Sequence, residues 1–143
     1  MRPTTTGAGA AMAPRPRGRV LVVDDEPAIL LALELALGRA GFAVVVAHSG
    51  EAAEARLRAE AFDALVVDLR IPDVRGDVVY HQAVALQPHL RSQTLFFTGD
   101  VTEKAHRIIE ACGCPMVRKP FDLRDLIDAL RALMPRAGIE ESA

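Results

Sequence analysis

The sequence predicts one α/β domain, a parallel sheet covered by helices on both faces. Three observations lead there. From Arg19 onward short Val-rich apolar runs alternate with amphipathic stretches, five of each, and right-handed crossovers turn that pattern into a three-layer (βα)5 sandwich. The apolar runs are hydrophobic almost throughout instead of alternating, as strands buried on both faces must be. The chain has 143 residues, half of them hydrophobic, which suits one core and leaves little room for a second.

The elements come in order. RVLVVD (19–24) reads as the first strand, and PAILLALELALGRA (27–40) as the first helix, with Pro27 tolerated in its first turn and Gly41 ending it. FAVVVA (42–47) is the second strand, and GEAAEARLRAE (50–60) a helix begun near Ser49. DALVVD (63–68) is the third strand, followed by a loop through Pro72 and Gly76 and a third helix over 77–87, closed by Pro88. TLFFT (94–98) is the fourth strand, and TEKAHRIIEACG (102–113) a helix with Thr102 as N-cap. PMVRK (115–119) is a short fifth strand. DLRDLIDALRALM (122–134) is the last helix, capped by Asp122, with Leu123, Leu126, Ile127, Leu130 and Leu133 at core-facing spacing. The folded domain is thus expected over 18–135. Residues 1–17, rich in Pro, Gly and Thr with Arg but no acid, read as a disordered arm, inside which Met12 is an alternative start. Residues 136–143 read as a flexible tail.

Composition removes several function classes. A net charge of −2 gives no bulk attraction to nucleic acid or to an anionic membrane. The apolar stretch from Ala28 to Val46 is interrupted by Glu34, Gly38, Arg39 and Gly41, so it is no membrane span, and the opening residues contain no compact apolar core of a signal peptide. Cys112 and Cys114, the two cysteines, match neither zinc spacing nor a secreted disulfide framework; reduced thiols and a cytoplasmic location are expected. His48, His81, His89 and His106 are scattered and make no ligand pattern.

The chemistry gathers at strand ends. In open α/β sheets ligands bind past the carboxyl ends of the strands, at the topological switch point. Asp24 and Asp25 follow the first strand, Asp68 ends the third, Thr98 the fourth and Lys119 the fifth. Taken singly these have plain readings: adjacent acids before a helix are usually caps, a strand-end lysine is usually solvated, and a threonine there is a turn residue. Strand order 2-1-3-4-5 makes the first and third strands neighbours and crowds the three carboxylates into one pocket. At ~4 Å and an effective dielectric near ~20 each pair repels by roughly 4 kcal/mol. Such a cluster either raises its pKa values or holds a divalent cation, and oxygen-only ligands favour Mg²⁺ over zinc. Carboxylate, hard cation, lysine and hydroxyl together suit phosphoryl transfer through an aspartyl phosphate on Asp68.

The combination VVDDE, VVDLRIPDVRG, FFTGD and RKPF closely resembles the receiver domain of bacterial two-component response regulators. The resemblance implies a flavodoxin-like fold, Asp68 as phosphoacceptor, Asp25 as a direct Mg²⁺ ligand and Asp24 as one acting largely through water. It implies the Arg70 backbone carbonyl as a further metal ligand, Thr98 and Lys119 as phosphoryl-binding side chains, and a cis bond between Lys119 and Pro120. One position departs: Met116 stands where the family usually has Tyr or Phe, so a flexible thioether replaces the aromatic that swings inward with the threonine. The stretch GCPMVRKPFDLRDL is similar to receivers attached to hybrid sensor kinases.

In function the resemblance implies a switch. A histidine kinase or histidine phosphotransfer protein supplies phosphohistidine, and the domain catalyses only its own phosphorylation and dephosphorylation. With no DNA-binding module in the sequence and no membrane segment, the expected output is a protein contact, a relay step or homodimerisation through the face of helix four, strand five and helix five. Arg70 and Asp100 each lie two residues past an anchor and are expected to pair over the pocket mouth. The alternative is a metal-dependent phosphohydrolase acting on small phosphate esters, which the adjacent acids after strand one and the lack of a general acid disfavour. A flavodoxin-like cofactor binder ranks last, because DDEP would repel a phosphate.

Overall fold

The structure, a computed structural model, describes residues 18–134; the expected N-terminal arm, the Met12 start and the C-terminal tail lie outside the described residues. Five strands, β1 (Arg19–Val23), β2 (Ala43–Ala47), β3 (Ala64–Asp68), β4 (Thr94–Thr98) and β5 (Met116–Arg118), form one parallel sheet in the order β2-β1-β3-β4-β5. They alternate with α1 (Pro27–Arg39), α2 (Gly50–Ala59), α3 (Gly76–Leu86), α4 (Glu103–Cys112) and α5 (Leu123–Leu133). The expected flavodoxin-like (βα)5 architecture and its strand order are what the chain adopts.

The period-2 geometry of the strands assigns side chains to two cores. Leu21, Val23, Leu65, Val67 and Phe96 point to one face and pack against Leu57, Val79, Tyr80 and Ile109 of α2, α3 and α4. Val20, Val22, Val66, Leu95 and Phe97 point to the other and meet Leu30, Leu33 and Leu37 of α1 with Leu126 and Leu130 of α5. Leu123, Ile127 and Leu133, expected at the same core, pack there while staying half-buried.

Local chemistry sets the element ends. Ser49 Oγ accepts from the Ala52 amide, Thr102 Oγ1 from the Ala105 amide and an Asp122 carboxylate oxygen from the Arg124 amide. Pro27 occupies the first turn of α1, and Gly41, at φ 101°, turns the chain toward β2. Two features depart from the expected elements. A 3-10 turn, Pro88–Ser92, fills what the sequence presented as a plain stop after α3. β5 is shorter than expected, although ladder bonds continue past it: the Phe96 amide donates to the Pro115 carbonyl and the Lys119 amide to the Thr98 carbonyl. Pro115 has no N–H to extend the strand, and the Lys119–Pro120 bond is cis, as the resemblance implied.

Register brings the strand ends level. Val23 pairs with Val67, Asp68 with Phe97 and Thr98 with Arg118. The residues just past these pairs therefore share one rim of the sheet.

Candidate functional site

The rim holds an anionic cluster with one cation in it. Carboxylate oxygens of Asp24, Asp25 and Asp68 lie within 4.8 Å of one another. Asp24 and Asp68 are buried and Asp25 is exposed, so the cluster is closed beneath and open above. Lys119 enters from the end of β5, with Nζ donating to Asp68 Oδ2 at 2.9 Å and to Asp24 Oδ2 at 3.0 Å. The same ammonium lies 4.9 Å from the centre of the Phe97 ring, a cation–π contact beneath the site.

Main-chain donors fix the remaining oxygens. Asp24 Oδ1 accepts from the Glu26 amide at 3.1 Å, and Asp68 Oδ1 from the Arg70 amide at 3.1 Å. Burial pushes the Asp24 carboxyl up to about 6, against the lowering influence of Lys119. Burial also works against the Lys119 ammonium, but its bonds to Asp68 and Asp24 more than offset this and hold it above the ordinary lysine value. The Asp24 carboxylate and the Lys119 ammonium thus favour each other's charged form.

This donor set fits a hard divalent cation. Its side chains offer oxygen only, two anions are already oriented by amides, and among the described residues a single ammonium in the cluster leaves it short of positive charge. Gly76 makes the floor of the site possible. A Cβ there would lie 2.2 Å from the Asp68 carbonyl oxygen, so only glycine lets α3 begin this close to β3.

Thr98, buried at the end of β4, accepts from the Asp100 amide through Oγ1 at 3.0 Å. The expected Arg70–Asp100 ion pair is formed and joins the loop after β3 to the loop after β4. Asp100 also accepts from the Thr102 amide at 2.9 Å, and that bond, with help from Arg70, holds its carboxyl below the usual range. Asp24, Asp25, Asp68 and Lys119 are thus in one place, with Thr98 at the adjacent strand end. Met116 starts β5 and packs, half-buried, against the core on the α2–α4 face.

One participant was not foreseen. Glu26 Oε1 lies 3.2 Å from Lys119 Nζ, a third carboxylate on the same ammonium. Its signal was the third acid of VVDDE, masked by its place before Pro27, where an acid reads as the start of a helix.

Known proteins share this sheet and its helices. A receiver domain protein described as CheY-like, from Methanospirillum hungatei, superposes with a TM-score of 0.77 at 25% identity, covering 85% of this chain and 97% of its own. The non-phosphorylated receiver domain of HemR from Leptospira biflexa gives 0.73 at 28% identity, covering 83% and 94%. Among curated proteins, the probable transcriptional regulatory protein TcrX of Mycobacterium tuberculosis is 34% identical over 84% of this chain and 51% of its own length. The transcriptional regulatory protein CutR of Streptomyces coelicolor is 35% identical over 85% and 55%. The chain spans about half the length of these curated relatives. Residues 20–131 match the family model described as the response regulator receiver domain, a span that takes in Asp24, Asp25, Asp68, Thr98 and Lys119. By that match this chain belongs to the response regulator receiver domains, a family of signalling modules.

Proposed function

We propose that this receiver accepts a phosphoryl group on Asp68 from the phosphohistidine of a histidine kinase or a histidine phosphotransfer protein. Asp24, Asp25, Asp68 and the Arg70 backbone carbonyl would hold Mg²⁺. The observation that carries the reading is the Asp68 carboxylate, buried at a strand end, 2.9 Å from Lys119 Nζ and inside a cluster of three carboxylates.

Bound there, Mg²⁺ supplies positive charge to the phosphoryl oxygens and offsets the repulsion between them and the carboxylates. An Asp68 oxygen attacks phosphorus in line, a P–O bond forms and the P–N bond to the donor imidazole breaks; the ring takes the P–N electron pair and leaves as neutral imidazole, keeping the proton it already carried on its other nitrogen. Lys119, already beside Asp68, donates to one equatorial oxygen. The Thr98 hydroxyl turns from the Asp100 amide to donate to another. That movement draws the loop after β4 inward and shifts an equilibrium between two arrangements of α4, β5 and α5. Met116 accommodates the shift by repacking its flexible side chain.

Self-phosphorylation and dephosphorylation are then the domain's only catalysis, the expected compartment is the cytoplasm, and the output is a protein contact, a relay step or a homodimer through the α4–β5–α5 face. Among the described residues no helix is long and apolar enough to cross a membrane.

The test is labelling with a small phosphodonor and with a phosphorylated histidine protein. Wild type is expected to take up one base-labile phosphoryl group per chain, dependent on Mg²⁺, and Asp68→Asn none. Normal labelling of the asparagine protein removes the assignment, and continuous release of phosphate from esters points to the hydrolase.

A further inference from the structure

The loop between β3 and α3, residues 69–75, carries the Arg70 carbonyl. Its ends are pinned close to the site: the Arg70 amide donates to Asp68 Oδ1, and the Gly76 amide to the Leu69 carbonyl at 2.8 Å. Its apex is pinned to a different element. Asp73 Oδ1 accepts from the Gly50 amide at 2.9 Å, and Asp73 Oδ2 from the Glu51 amide at 3.0 Å. These are the first two amides of α2, which have no carbonyl partner within a helix. The next amide, Ala52, is taken by Ser49 Oγ.

The two amides hold the Asp73 carboxyl below the usual carboxylate range, as expected for an anion at the positive end of a helix. The neighbouring residue adds shape to the clamp. A Cβ on Gly50 would lie 2.1 Å from Val74 Cγ2, so Val74 occupies the room that a side chain at position 50 would need. Polar and steric contacts thus seat the same loop on the same helix start, 22 to 23 residues away in sequence.

We propose that Asp73 is a positioning residue for the divalent cation: clamping the loop apex to α2, it fixes where the Arg70 main chain lies beside Asp68. This inference rests on the metal site read above. A purely local role, capping α2, is the competing account, and Ser49 separates the two. Both side chains cap the same helix, but only Asp73 ties it to the loop. In the anchored state the loop is ordered before the cation arrives. Without the clamp, part of the binding energy goes into ordering it.

The experiment is calorimetric titration of Mg²⁺ into the full chain as wild type, Asp73→Asn, Asp73→Ala and Ser49→Ala, with thermal unfolding of each measured without metal. Asp73→Ala is expected to weaken Mg²⁺ binding by about tenfold, Asp73→Asn by less because it keeps one acceptor oxygen, and Ser49→Ala not at all. Asp73→Ala and Ser49→Ala should lose comparable thermal stability, and Asp73→Asn less. If Asp73→Ala fails to fold, the exposed and nearly isosteric Asn variant carries the test. Unchanged affinity in the Asp73 variants, or an equal loss in Ser49→Ala, overturns the positioning role. Absence of Mg²⁺ binding by wild type instead overturns the metal site itself.

Discussion

Lys119 is the residue on which the site's charge balance turns. Its ammonium meets Asp24, Asp68 and Glu26, and its side chain is only 15% exposed. Replacing it with an apolar side chain leaves buried carboxylates unopposed, a loss of about 3 kcal/mol for a broken buried pair. Lys119→Met is therefore expected to lower stability by that amount in urea unfolding, with Mg²⁺ restoring part of it. At the pocket mouth the Arg70–Asp100 pair bridges two loops. We expect Arg70→Ala to dephosphorylate several-fold faster, because water then reaches the acyl phosphate more freely; an unchanged decay rate of the labelled protein would remove this gating role. At this scale the sequence was legible where a polar residue ended an apolar run, as Asp24, Asp68, Thr98 and Lys119 do. Glu26 escaped because an acid before Pro27 reads as the start of a helix, and Asp73 because its partners lie 22 to 23 residues away and no local pattern points across such a gap.

At the scale of elements, caps and breakers decided most boundaries. Thr102 caps α4 and lies in the loop that also holds Asp100, so its loss affects the helix and the neighbourhood of the site together. Thr102→Ala is expected to cost about 1 kcal/mol, measured as a shift in the unfolding midpoint without a change in denaturant dependence. The helices and strands were readable because Val-rich runs and 3.6-residue periodicity do not compete here. The 3-10 turn at Pro88–Ser92 was not readable: Pro88 announces an end to α3 but leaves the conformation of the next residues open. Its fold depends on distant groups, with Leu90 buried and Thr94 Oγ1 donating to the Leu90 carbonyl. β5 shortened for a chemical reason already present in its letters, a proline on either side of the strand.

For the whole molecule, the proposed cation site would join folding and cation binding into one linked equilibrium. The cluster exists only when β1, β3 and β5 are aligned, so a cation held by it binds the folded chain alone. At a hundred times the dissociation constant, Mg²⁺ should add about 2.7 kcal/mol, or about 10 °C in midpoint for a domain of this size. A thermal scan across Mg²⁺ concentrations checks this, and Asp25→Ala should flatten the response. The architecture that makes this linkage also divides the molecule into two ends. The side chains proposed to hold the cation and the phosphoryl group sit on the rim where strands finish, whereas the turn at Gly41 and the one at Gly113, with φ 72°, lie where strands begin. Evolution and engineering therefore have a free end to work with: sequence can be lengthened, recoloured or fused at the quiet rim while the phosphoryl-handling rim keeps its shape.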